Sequence, residues 1–101
     1  MILREWRART DEARAARYPA HFHAEVVPAL GRIAGFLGAE IGARREGGKI
    51  EFVVLTRWAS HDALRAFAGA EYEKSVVDPD AARMLTDFDA HVRHYDVIAA
   101  A

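Results

Sequence analysis

Polar and apolar residues alternate most regularly from Lys49 to Trp58, where Ile50, Phe52, Val54, Thr56 and Trp58 share one face of an extended chain. Glu51, Val53, Leu55 and Arg57 share the other face. The pattern then changes to a helical period. Ser60 is suited to cap a helix, because its hydroxyl can accept a bond from a first-turn amide, and Asp62 places negative charge near the positive helix end. Ala63, Leu64 and Phe67 form an apolar stripe that must fold back onto the sheet, and Gly69 supplies a stop. Ile2 to Arg9 is a second alternating segment, with Ile2, Arg4, Trp6 and Ala8 on one face and Leu3, Glu5, Arg7 and Arg9 on the other.

Between these strands, Thr10 is the expected N-cap of a helix reaching about Val27. Its apolar stripe reads as Ala16, Pro19, Ala20, Phe22, His23, Val26 and Val27, with Arg14, Arg17, His21 and Glu25 opposite. Pro19 should bend this helix, and Pro28 with Gly31 should end it. Gly35 opens a strand to about Arg44, and Gly47-Gly48 turns it into the strand at Lys49, which predicts a hairpin. A short helix near Asp80 and a last strand from His91 to Ile98 complete the chain. The order strand, helix, hairpin, helix, strand predicts an α+β ferredoxin-like domain, with a four-stranded antiparallel sheet and both helices on one face. Apolar residues such as Val53 and Leu55 then lie on the uncovered face, which predicts a homodimer formed through the sheet faces.

At 101 residues, the chain is expected to form one domain over 1–101. A net charge of −1 gives no basic excess for nucleic acid or anionic membranes, so neither partner is expected. No apolar run has membrane length, and the expected location is the cytoplasm. Cysteine is absent, which excludes thiolate catalysis, thiolate metal ligation and disulfides. Asparagine and glutamine are also absent, so no neutral side-chain amide can orient a substrate.

The unit W-x-S-x-x-A-L-x-x-F from Trp58 to Phe67 resembles the antibiotic biosynthesis monooxygenase family of the dimeric α+β barrel superfamily. The opening strand ILREWRAR, the glycine-rich return and the closing HVRHYDV extend the resemblance over most of the chain. It implies a cofactor-independent monooxygenase that uses no metal or flavin and acts on a small aromatic or polyketide-like molecule held between sheet and helices. A non-catalytic small-molecule-binding dimer and a haem-degrading enzyme are the alternatives. In some quinone-forming members a Trp at the place of Trp58 helps bind a flat phenol, and an Asn lies four residues earlier. Here that earlier position is Val54, which cannot orient a peroxide or a carbonyl.

Strand parity and the helix stripe nominate Trp58, Thr56, Trp6, Arg4 and His23 to line such a pocket. Each also has a simpler reading. Trp58 can serve as a hydrophobic anchor, Arg4 as a strand-edge ion pair, and His23 as a histidine at the edge of the core. In the functional reading Arg4 binds an anionic or phenolate-bearing ligand, and His23 or His94 is the general base. Either His94 or Tyr95 can face the pocket, since neighbours on a strand point to opposite faces. No metal site is expected: His91 and His94 have opposite parity, and His21 and His23 are roughly 200° apart on a helix. No phosphate-binding loop or serine-hydrolase signature is present.

Overall fold

In the computed structural model, which describes residues 1–101, strand β1 (Ile2–Asp11) lies at the centre of an antiparallel sheet. It pairs with β3 (Lys49–Trp58) from Ile2↔Trp58 to Asp11↔Lys49 without a break, so the buried faces of the two strands coincide. Both strands follow the alternation of their sequence: Ile2, Arg4, Trp6, Ala8 and Thr10 are buried, as are Ile50, Phe52, Val54, Thr56 and Trp58. β2 (Phe36–Glu46) completes the hairpin. The turn consists of Gly47 and Gly48, at φ 57° and 78°, the mirror-image geometry that matches the twist of the flanking strands. The architecture is α+β with helices on one sheet face, and the sheet is not closed.

The far edge of β1 differs from the expected single strand over His91 to Ile98. It is occupied by two short pieces, β4 (Asp87–Phe88) and β5 (Arg93–Asp96). Beyond Asp89, whose amide still donates to the Arg7 carbonyl, the chain between them pairs elsewhere: Ser75 donates to the Ala90 carbonyl at 2.9 Å and Val92 donates to the Glu73 carbonyl at 2.8 Å. Backbone groups that leave one ladder are thus satisfied by another.

The first helical stretch begins after a 3-10 turn at Glu12–Arg14 and consists of α1 (Arg17–His21), a π segment (Phe22–Val26) and α2 (Val27–Gly31). Two expectations change here. Asp11, not Thr10, caps the 3-10 turn by accepting from the Arg14 amide at 3.0 Å, while the buried Thr10 hydroxyl donates to the Met84 carbonyl at 3.0 Å. Pro28 does not end the helix but sits inside α2. The wide π turn immediately precedes it, where a proline would otherwise crowd the carbonyl four residues back and leave it unbonded.

α3 (His61–Ala68) starts as expected, with the Ser60 hydroxyl accepting from the Ala63 amide at 3.2 Å and Gly69 at φ 84° closing it. α4 (Pro79–Arg83) is capped by Asp78. Two apolar clusters form between helices and sheet. One gathers Trp6, Tyr18, Phe22, Phe52 and Leu85, and the other gathers Ile2, Leu30, Trp58 and Leu64.

Candidate functional site

The cavity lies between these clusters, with β1 and β3 as its floor. Arg4, Trp6, Val54 and Thr56 project into it because they share the buried parity of paired strands. Tyr18, Val26 and Leu30 come from the first helical stretch, Phe67 from α3, and Val76 to Asp78 from the segment before α4. Traced by the centres of water-sized spheres, the inner chamber has a volume of about 70 Å³. One water needs about 10–15 Å³ on that measure, so several waters or a single small ring would fit. A vestibule of about 210 Å³ shares Val26, Leu30, Phe67, Val76 and Asp78 with the chamber and leads outward past Ile33.

Arg4 is the unusual member. It is 5 % exposed, yet no carboxylate lies within 4.0 Å. Its Nη1 donates to the Tyr72 carbonyl at 2.5 Å and to His94 Nε2 at 3.0 Å, and its Nη2 donates to the Lys74 carbonyl at 3.1 Å. The guanidinium also sits 5.5 Å from the Phe67 ring centroid. Burial lowers its pKa to about 10, partly offset by the negative charge of Glu73, so it remains a cation at neutral pH. His94 is held below the ordinary imidazole value, first by burial and then by the neighbouring Arg4 charge. Its imidazole is therefore neutral at pH 7, with Nε2 accepting from Arg4 and the proton on Nδ1.

Tyr18 lines the opposite wall and is 4 % exposed. Burial raises its phenol to about 12, reinforced by the charge of Asp78, so it is a neutral hydrogen-bond donor. Its hydroxyl makes no hydrogen bond within the chain, and no fully buried side-chain oxygen is left without a partner, so this oxygen is not sealed in the core. At the mouth, Asp78 caps α4 through the Ala81 amide at 2.8 Å and meets His21 Nε2 at 3.2 Å, and these bonds lower its pKa.

Arg4, Trp6 and Thr56 are thus brought together, with His94 behind Arg4. Trp58 is not in the wall. It is wholly buried behind Phe67, stacked on that ring at 5.2 Å, and its indole N–H donates to Thr56 Oγ1 at 2.8 Å. It supports two lining residues rather than touching the space. Tyr95 falls on the opposite sheet face, because it pairs with Leu3 while His94 pairs with Arg4. His23 is exposed and points away from the chamber.

The inward stripe of the first helical stretch is Tyr18, Phe22, Val26 and Leu30, a spacing of four; Phe22 and Val26 lie on it as expected, whereas Ala16, Ala20 and His23 are exposed and Tyr18 takes an inward place not expected of it. In a regular α-helix, steps of four drift by about 40° each. The wide π turn at Phe22–Val26 absorbs that drift and keeps one face inward. The even spacing of large residues was the available signal. Phe67 was recognised as a packing residue, but its place in the cavity wall depends on how α3 docks.

No three His, Cys, Asp or Glu side chains converge to hold a metal ion. No helix is long and apolar enough to cross a membrane.

No protein-family model matches the chain. No curated protein matches it either. Solved structures do. A putative antibiotic biosynthesis monooxygenase from Bacillus cereus is 20% identical, with a TM-score of 0.69 over 99% of this chain and 97% of that one. SnoaB, a cofactor-independent oxygenase from Streptomyces nogalater, is 18% identical, with a TM-score of 0.64 over 98% of this chain and 95% of that one. The haem degrader MhuD from Mycobacterium tuberculosis, solved with two haems in its active site, is 21% identical, with a TM-score of 0.63 over 100% and 99%. This chain has the fold of the antibiotic biosynthesis monooxygenases. Haem does not fit the residues present: His23 faces outward, His94 Nε2 is engaged by Arg4, and the inner chamber is far smaller than a porphyrin.

Proposed function

We propose that this chain is a small oxygenase of the cofactor-independent type, acting on a single ionisable aromatic or polyketide-like ring bound in the cavity beside Arg4. The observation that carries this reading is a chamber walled by Trp6, Tyr18 and Phe67, with one buried, unpaired guanidinium at its end. A ring that forms a stabilised anion can react with oxygen directly, so the protein need supply only desolvation, orientation and charge stabilisation. Aromatic walls orient the ring, Tyr18 offers a neutral donor, and Arg4 stabilises negative charge. The names of SnoaB and of the putative monooxygenase with this fold support oxygenase chemistry as the first choice.

His23 drops out as a base because it lies outside the chamber. His94 becomes a positioning residue, since the nitrogen that would take a proton is committed to Arg4. One observation favours a second reading, a non-catalytic binding protein: Val54 occupies the wall and no free base nitrogen faces the ring.

Oxygen uptake by the metal-free protein, measured against hydroquinones and anthrone-like phenols, separates the two. The expected result is uptake by wild type and by His23→Ala, with a fall of about tenfold or more in His94→Ala, the scale of one charge-assisted hydrogen bond. His94→Gln, which keeps an acceptor for Arg4, should recover part of the loss. Binding without uptake selects the binding protein.

A further inference from the structure

We infer that the cavity selects its ligand as an oxyanion: a phenol or enol that loses its proton on binding and places the charged oxygen on the free N–H groups of Arg4. This rests on the reading of the cavity as an aromatic-ring site and names the charge state of the ring it takes.

A guanidinium carries five N–H groups. Three of those of Arg4 are engaged, by Tyr72, His94 and Lys74. The Nε hydrogen and one Nη2 hydrogen have no partner in the chain. No fully buried side-chain nitrogen lacks a partner, so Arg4 Nε is not sealed in the core, and Arg4 is part of the cavity lining. The three engaged groups fix the guanidinium in place, and the two free ones leave it able to grip one more acceptor.

Charge accounting gives the sign of that acceptor. A buried cation without a partner is costly, and the groups around Arg4 do not neutralise it. Its hydrogen-bond partners are two carbonyls and a neutral imidazole, with an aromatic face beside them. Glu73 acts on it but makes no ion pair with it, and His61 acts on His94 without changing this balance. Asp78, the carboxylate in the cavity lining, is taken up by the α4 cap and by His21 at the mouth. A ligand oxyanion supplies the missing charge, and the apolar wall around it strengthens the attraction. The same attraction lowers the ligand's own pKa, so binding a neutral phenol releases one proton to solvent and leaves a bound phenolate. No base in the chamber is then required.

The test uses 4-nitrophenol, whose ionisation is visible by absorbance, and its neutral methyl ether, 4-nitroanisole, on the intact protein. Expected are at least about tenfold tighter binding of the phenolate than of the ether and a bound-state ionisation midpoint below that of the free phenol. Arg4→Lys should keep part of the displacement and Arg4→Met should lose it. The wild-type comparison and Arg4→Lys decide the matter even if Arg4→Met does not fold. Equal affinities, an upward displacement or absence of binding by both compounds overturns the proposal. If equal affinities accompany oxygen uptake with aromatic substrates, only the oxyanion selection fails. If neither compound binds and no substrate consumes oxygen, the oxygenase reading fails with it.

Discussion

Arg4 and His94 show how one strand pairing sets the chemistry of a site. Their Cα atoms are register partners on β1 and β5, so both side chains rise from the same face. Burial first, and then the neighbouring cation, keep the imidazole neutral, and the imidazole in turn fills one of the cation's donor positions. The lowered His94 pKa means that the unfolded chain binds a proton more readily than the folded one. The stability linked to His94 is therefore fully present above the unfolded value of about 6.5 and is lost as pH falls through the lower folded value. Thermal unfolding followed by circular dichroism should show Tm falling on acidification below about pH 6.5, before the carboxylates titrate, and this early fall should disappear in His94→Gln. A flat Tm across that window in wild type would remove the argument that His94 is held neutral.

Elements meet closely at Gly35, between α2 and β2. Its φ is 89°, and a Cβ built there would lie 2.6 Å from the Ala63 Cβ on α3. Backbone conformation and space therefore both demand glycine, and this contact brings α3 down onto the end of the sheet. Gly31, by contrast, ends α2 without a positive φ, and a Cβ added to it would meet nothing within 4 Å. Urea unfolding should find Gly35→Ala destabilised by about 1–3 kcal/mol. Gly31→Ala should be neutral or more stable by up to about 1 kcal/mol. Equal effects at the two positions would show that the α3 docking is looser than the contact implies. The break between β4 and β5 and the π turn before Pro28 belong to the same scale. In each, an irregular element lets a side chain or backbone group reach a partner that a regular one would miss.

For the whole molecule, the open question is what covers the outer sheet face. Leu3, Val53, Leu55 and Tyr95 share it with charged residues, among them Arg7 bridged to Glu51 and Arg57 to Glu40. It is less apolar than alternation alone suggested, because the charges there are paired with one another. We propose that a second copy covers it, sheet against sheet, burying about 800 Å² on each partner, the size of a standard interface. Sedimentation velocity at micromolar concentration should show a dimer. Leu55→Glu, which places a further carboxylate close to Glu5 and Glu40 across the ladder, should shift the protein to monomer. A wild-type monomer under the same conditions would sink this assembly.

The sequence by itself determined both main strands, their buried faces, the Gly47-Gly48 hairpin and the Ser60 cap, since each depends on local periodicity or a local hydrogen bond. It also placed Arg4, Trp6 and Thr56 on the face that lines the cavity, because strand parity is a local property that pairing preserves. Tertiary structure decided the rest. The phase of the first helical stretch turned on a π segment that no simple period describes, so Tyr18 entered the wall and His23 left it. The choice of His94 over Tyr95 needed the register of β5 against β1, which pairs residues about 90 positions apart. Trp58 moved behind Phe67 because α3 docks over it, and docking depends on contacts between elements rather than on the pattern within either one.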